Sequence, residues 1–324
     1  MGRMPDPQRV PTTHAVSVGT TSVATGRSSR VDHPQRSRLT LAAFAGTVLI
    51  GGSNFVAVSF SNAELAPMFG AAVRFTAAAL LFGLIAQALS LPLPRGRALL
   101  GSAIYGLLGF GLAYGLLYFA LLEVSIGMTA VIMATVPLFT LVLAVVHGQE
   151  RLSTAGVVGG LLAIVGIGVL SLGSLGGELS LLHVIAAVGG AAAAAESGVV
   201  VKGFPRGDPV TTNAVGMAAG ALLLWLGSVV LSESWTVPQS GRTWAALAWL
   251  VIAGSVGLFY LVLFVIGRWT ASATAYSLTL MPVVAVSLGA LLAGEPITVE
   301  VVVGAALVVL AVYVGAIRGV RSAT

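Results

Sequence analysis

From Leu39 onward the chain is a succession of apolar runs of about twenty residues, parted by short polar or Gly/Pro-rich breaks. A run of that length crosses a bilayer as a helix, because hydrocarbon leaves no other partner for the backbone N–H and C=O groups. Ten spans are predicted, at about 39–62, 65–91, 98–121, 124–147, 154–174, 180–201, 209–231, 244–266, 269–292 and 297–317. The breaks carry turn residues, as in Pro92-Leu93-Pro94-Arg95-Gly96 and Phe204-Pro205-Arg206-Gly207-Asp208-Pro209. Composition agrees: 57% of residues are hydrophobic and 8% charged, where a soluble domain carries about a quarter charged. The mean hydropathy is +1.01. The expected fold class is an all-α polytopic membrane protein, and its first partner is the lipid bilayer.

The few charges fix an orientation. With the N-terminus inside, fourteen of the sixteen Lys and Arg fall in inside segments, Arg242 alone falls outside, and Arg74 lies within span two. Outside segments hold Glu64, Glu123, Glu178, Glu233, Glu295 and Glu300. This is the positive-inside pattern, and it predicts both termini in the cytoplasm and a plasma-membrane location. It also accounts for the net charge of +5 without a nucleic-acid partner. Residues 1–38, rich in Pro, Ser, Thr and Arg, are expected to form a disordered basic cytoplasmic tail. There is no cysteine, and the four histidines are never paired at ligand spacing, so neither a metal nor a cofactor is expected.

The block from Thr129 to Val169 returns 145 residues later, as Thr274 to Val314, without a gap. Pro137 falls on Pro282, Glu150 on Glu295 and Gly159 on Gly304. Glu150 follows span four and Glu295 follows span nine. Five spans separate the copies, and an odd number inverts the second relative to the first. The chain therefore divides into residues 39–174 and 180–318, two five-helix repeats of opposite topology, an arrangement in which carriers place a central site.

The first copy, Val136-Pro137-Leu138-Phe139-Thr140 through Gln149-Glu150-Arg151-Leu152-Ser153 and on to Gly156–Gly160, resembles the signature of the drug/metabolite transporter superfamily, specifically EamA-type carriers. The second copy, Met281-Pro282-Val283 through Gly294-Glu295-Pro296-Ile297-Thr298, is similar to the same signature. Gly51-Gly52-Ser53-Asn54-Phe55, and Arg74-Phe75 after Pro67, resemble the family's first-half pattern, and the likeness covers residues 39 to 318. It departs at Gly51, where the family often has Trp, and at Ser59-Phe60, where it often has Lys. The resemblance implies a ten-helix carrier whose two halves enclose a central cavity for a small metabolite, often moved outward.

Several residues stand out within the spans. Arg74 sits about 15 Å along span two, near mid-depth, where a permanent cation needs a cavity or a partner. It either binds an anionic substrate group or gates, or it tethers helix-end carbonyls. Glu196 is the one carboxylate well inside a span and is a candidate for proton coupling, with pairing to Lys202 or Arg206 as the structural alternative. Asn54 either contacts substrate or bonds between helices. Tyr114, Tyr260 and Tyr276 are candidate cavity-lining rings, and Pro137 and Pro282 are expected to bend corresponding spans as gating kinks. Gly156 and Gly160 form a small-residue face for close packing or a homodimer contact. Glu150 and Glu295 are expected to cap the following helix.

These features predict a secondary active transporter that moves, in the outward direction, a small molecule such as an amino acid or drug-like compound by alternating access. An intramembrane enzyme or a channel is the alternative. A rhomboid-like Gly-x-Ser-Gly turn is missing, as are filter-like loops and a Walker motif, which weighs against enzyme, channel and primary pump.

Overall fold

The computed structural model describes Gly2 and residues 34–148, 154–172, 180–205, 207–266 and 271–314. Among these residues every regular element is helical, and the helices join into ten spans. They run Pro34–Asn62, Pro67–Ala88, Arg97–Ala120, Ile126–Val146, Thr154–Leu172, Leu181–Val201, Pro209–Val230, 241–266, 271–293 and Val299–Val312. Seven are long and apolar enough to cross a membrane; spans five, nine and ten contain shorter apolar helices. Large side chains such as Leu80 (65%) and Val230 (80%) stand exposed on the outer surface, as they do when the solvent is hydrocarbon.

Local chemistry explains where the spans begin. Pro67 and Pro209 occupy the first turn of spans two and seven, where a missing N–H is no loss. Ser125, Asp208, Ser240 and Thr298 each accept a backbone N–H from the first turn that follows. Span one starts at Pro34, inside the segment expected to be tail, again with proline at its head. The remainder of that tail, apart from Gly2, lies outside the described residues, as do Glu150 and Arg206.

Three carboxylates show how the halves are turned. Glu295, after span nine, accepts from Ile126 N at 2.7 Å and Gly127 N at 3.3 Å, at the start of span four. Span nine thus ends where its counterpart begins, so the two run in opposite directions. Glu233, after span seven, accepts from Met68 N at 3.0 Å and Phe69 N at 2.8 Å, at the start of span two, again its counterpart. Glu64, after span one, accepts from Gln239 N at 2.6 Å and Ser240 N at 3.0 Å, at the start of span eight. All three contacts lie on one face of the molecule. Glu295 was expected to cap the following helix and does not; Thr298 caps it, while Gly294, at a left-handed φ of 71°, turns the chain so that the carboxylate meets span four instead.

Packing follows the same exchange. Span one lies against spans eight and nine, as span six lies against three and four, and spans two and seven, like five and ten, pair with each other. The tightest crossing is between spans three and seven. A Cβ on Gly106 would overlap the backbone of Gly216, and one on Gly220 would stand 2.8 Å from Gly106 O. Span five meets span ten at Gly166, where a Cβ would stand 3.2 Å from Gly304 O, whereas nothing described lies within 4 Å of one on Gly160.

The two prolines sit differently in their spans. Span four breaks at Ala134–Thr135, and Pro137 falls in the first turn of the helix after the break. Pro282 lies inside the unbroken helix Ala271–Leu288. A proline that opens a new helix lacks only an N–H that would have no partner.

Candidate functional site

Spans three and eight are not α-helical throughout. Each contains one π-helical segment, Leu107–Leu112 and Ile252–Gly257, and these lie 145 residues apart. A π segment widens the helix and disturbs its hydrogen-bond ladder, and such segments are frequent at functional sites. Gly109 and Gly254 hold the same place in the two segments. A Cβ on Gly109 would stand 2.9 Å from Ser197 Oγ of span six; one on Gly254 would overlap Asn54 Oδ1 of span one. Span one thus presents Asn54 to the second π segment as span six presents Ser197 to the first.

One polar cluster grows from the second segment. Gly254 O accepts from Asn54 Nδ2 at 3.2 Å and from Arg74 Nη2 at 3.1 Å. Arg74 Nε donates to Ser255 Oγ at 3.1 Å, and that hydroxyl donates to Leu250 O at 2.9 Å. Arg74 Nη1 reaches Tyr118 OH at 3.4 Å. The guanidinium carbon lies 4.9 Å from the centre of the Phe75 ring and 5.0 Å from that of Tyr114, within cation–π range. Arg74 is fully buried. In the other half, Gly216 takes the place of Arg74 and Phe110 that of Ser255. A Cβ on Gly216 would stand 3.3 Å from Phe110 Cε2, so the large and small partners are exchanged between halves.

A cavity of about 430 Å³ opens beside this cluster, within the size range of small-molecule sites. Spans one, two, three, four, six, eight and nine line it; the first π segment contributes Gly109 and Phe110, and span eight reaches it just past the second segment, through Leu258, Phe259 and Val262. Its wall is largely apolar and aromatic, and Arg74 is the only charged residue in its described lining. Spans five and ten stand aside, against each other.

The residues singled out from sequence divide accordingly. Asn54, Arg74 and Tyr114 are brought together on the cavity wall. Tyr260 is not; it is 63% exposed on the outer surface, while Phe259, which the repeat aligns with Tyr114, lines the cavity. One residue along a helix is a rotation of about 100°, enough to move a side chain from cavity to lipid. The side chain of Tyr276 lies outside the described residues. Glu196 does not line the cavity, although Ala194 and Ser197 on the same helix do. Its Oε1 lies 3.2 Å from His147 Nε2, so His147 takes the place expected for Lys202. Arg74 and Glu196 therefore do not pair. Sequence reasoning missed Gly254, Ser255 and Ser197. The available signal was the 145-residue offset itself, which continues upstream of Thr129 to align Gly109 with Gly254.

The architecture is that of a multi-pass helical membrane protein built from two halves around a shared internal cavity. The chain matches the EamA-like transporter family twice, over residues 38–172 and 181–316. It is 30% identical over 260 residues to the uncharacterized inner membrane transporter YedA of Escherichia coli K12, covering 77% of this chain and 81% of that one. It is also 26% identical over 274 residues to an uncharacterized transporter of Archaeoglobus fulgidus (83% and 95%) and 28% identical over 277 residues to YoaV of Bacillus subtilis (82% and 92%). A solved crystal structure superposes with a TM-score of 0.61 at 20% identity, covering 89% of this chain and 99% of that one, which supports the fold. The chain belongs to the EamA-like transporter family and is a membrane transporter.

Proposed function

We propose that the protein is a secondary active carrier that exports a small metabolite by alternating access, with the cavity beside Arg74 as its transport site. One observation carries this reading: the cavity is lined by spans from both oppositely directed repeats, one to four from the first and six, eight and nine from the second. Two such halves can exchange conformations and so open one central site to either face in turn. Asn54, Arg74 and Tyr114 contact the cargo. Glu196 is the candidate proton carrier, with His147 as the group that receives or returns the proton between spans four and six. The N-terminus and the basic connections face the cytoplasm, and the face clamped by Glu64, Glu233 and Glu295 looks outward.

Counterflow in proteoliposomes tests the reading, with amino acids, nucleosides and organic acids as trial solutes. At least one should exchange, and Arg74→Ala should abolish that exchange with folded yield unchanged. Glu196→Gln should leave exchange intact and remove accumulation driven by a pH gradient. Absence of exchange for every solute would overturn the carrier reading, and full exchange by Arg74→Ala would remove Arg74 from the transport site.

A further inference from the structure

We infer that the cargo is an organic anion of single negative charge, with an apolar or aromatic body and a hydrogen-bond donor next to the anionic group; the inference rests on the cavity being the transport site. Arg74 is fully buried, and burial of a cation is costly unless a counter-charge or a full set of hydrogen bonds replaces water. Its described acceptors, Ser255 Oγ, Gly254 O and Tyr118 OH, are all neutral. They occupy three of the five guanidinium N–H groups. Among the described residues no carboxylate lies within 4.0 Å of it, the cavity lining includes no Asp or Glu, and Glu196 is bound to His147. The positive charge is therefore left for a ligand to neutralise.

A second unfilled valence lies beside it. Asn54 Oδ1 is buried and has no hydrogen-bond partner, while the amide nitrogen of the same side chain shares Gly254 O with Arg74. A buried acceptor without a donor calls for an N–H or O–H on the ligand. The anionic group seats on Arg74, the adjacent donor meets Asn54 Oδ1, and the body lies among Phe110, Tyr114 and Phe259. A cationic compound meets the like charge of Arg74 there with no carboxylate in the described lining to offset it, and one guanidinium balances one negative charge, not two.

N-acetylphenylalanine carries all three features. Its amide removes the charge, and phenethylamine reverses it. Equilibrium binding to the purified full chain in chloride-free buffer should show N-acetylphenylalanine at least tenfold tighter than its amide, with phenethylamine failing to compete. Arg74→Met should lower anion binding to the level of the amide, and Arg74→Lys should retain a preference for the anion. The wild-type comparison of anion with amide needs no variant to fold. Equal binding of anion and amide, displacement by phenethylamine, no binding of the anion, or an unchanged preference in Arg74→Met would each overturn the inference. Exchange of phenethylamine but not the anion in proteoliposomes would overturn the charge assignment and leave the carrier reading in place. Anion binding in detergent without exchange would do the reverse.

Discussion

A buried arginine with neutral partners fixes its own environment, and the substitutions around it can be ordered by what they remove. Gly254→Ala places a methyl on Asn54 Oδ1, so span one must shift and the shared bonds to Gly254 O are strained. Overpacking of this kind costs about 1–3 kcal/mol, and a lowered thermal midpoint of the purified protein should register it. Tyr260→Phe touches neither cavity nor cluster, and transport should be unchanged; a loss would place Tyr260 back in the site. Part of this cluster was legible beforehand. Arg74 and Asn54 are polar groups in apolar runs, where polarity itself is the signal. Gly254 and Ser255 were not, because their role comes from a π segment, and a π segment leaves no distinct period in a uniformly apolar helix.

At the scale of elements, two kinds of contact hold the spans in register. Backbone crossings such as that of Gly106 with Gly216 tolerate no side chain: Gly106→Ala should separate spans three and seven and lower the thermal midpoint, whereas Gly160→Ala should leave it unchanged. Carboxylate clamps are the other kind. The backbone N–H of Gln239, and more weakly that of Ser240, hold the Glu64 carboxyl below its ordinary value of 4.5. A lowered folded-state value means the unfolded chain takes up the proton first, so this contribution is present above about pH 4.5 and is lost as pH falls below it. Thermal midpoints measured from about pH 6 down to about pH 3, roughly one and a half units on each side of that value, should therefore fall more steeply in wild type than in Glu64→Gln. The lengths of the spans were readable from sequence, since a bilayer sets them. The trans contacts of Glu233 and Glu295 were not, because each depends on a helix more than a hundred and fifty residues away.

For the whole molecule, the absence of cysteine makes topology directly testable. Val237→Cys, in the connection before span eight, should react with an impermeant maleimide on intact cells. Leu93→Cys, in the connection after span two, should react only once the membrane is opened; the opposite pattern would invert the assigned orientation. The inversion of the repeats was foreseeable from the charge count, and Pro67 and Pro209 already set Arg74 against Gly216; that Ser255 and Phe110 are their exchanged partners emerged only in three dimensions. That exchange makes the charge of the chamber a property of the pair. A molecule made of two first halves would bring two guanidiniums to one chamber, and one made of two second halves would bring none. The single positive charge of the chamber is therefore a product of the difference between the halves, and making them alike in either direction would change it.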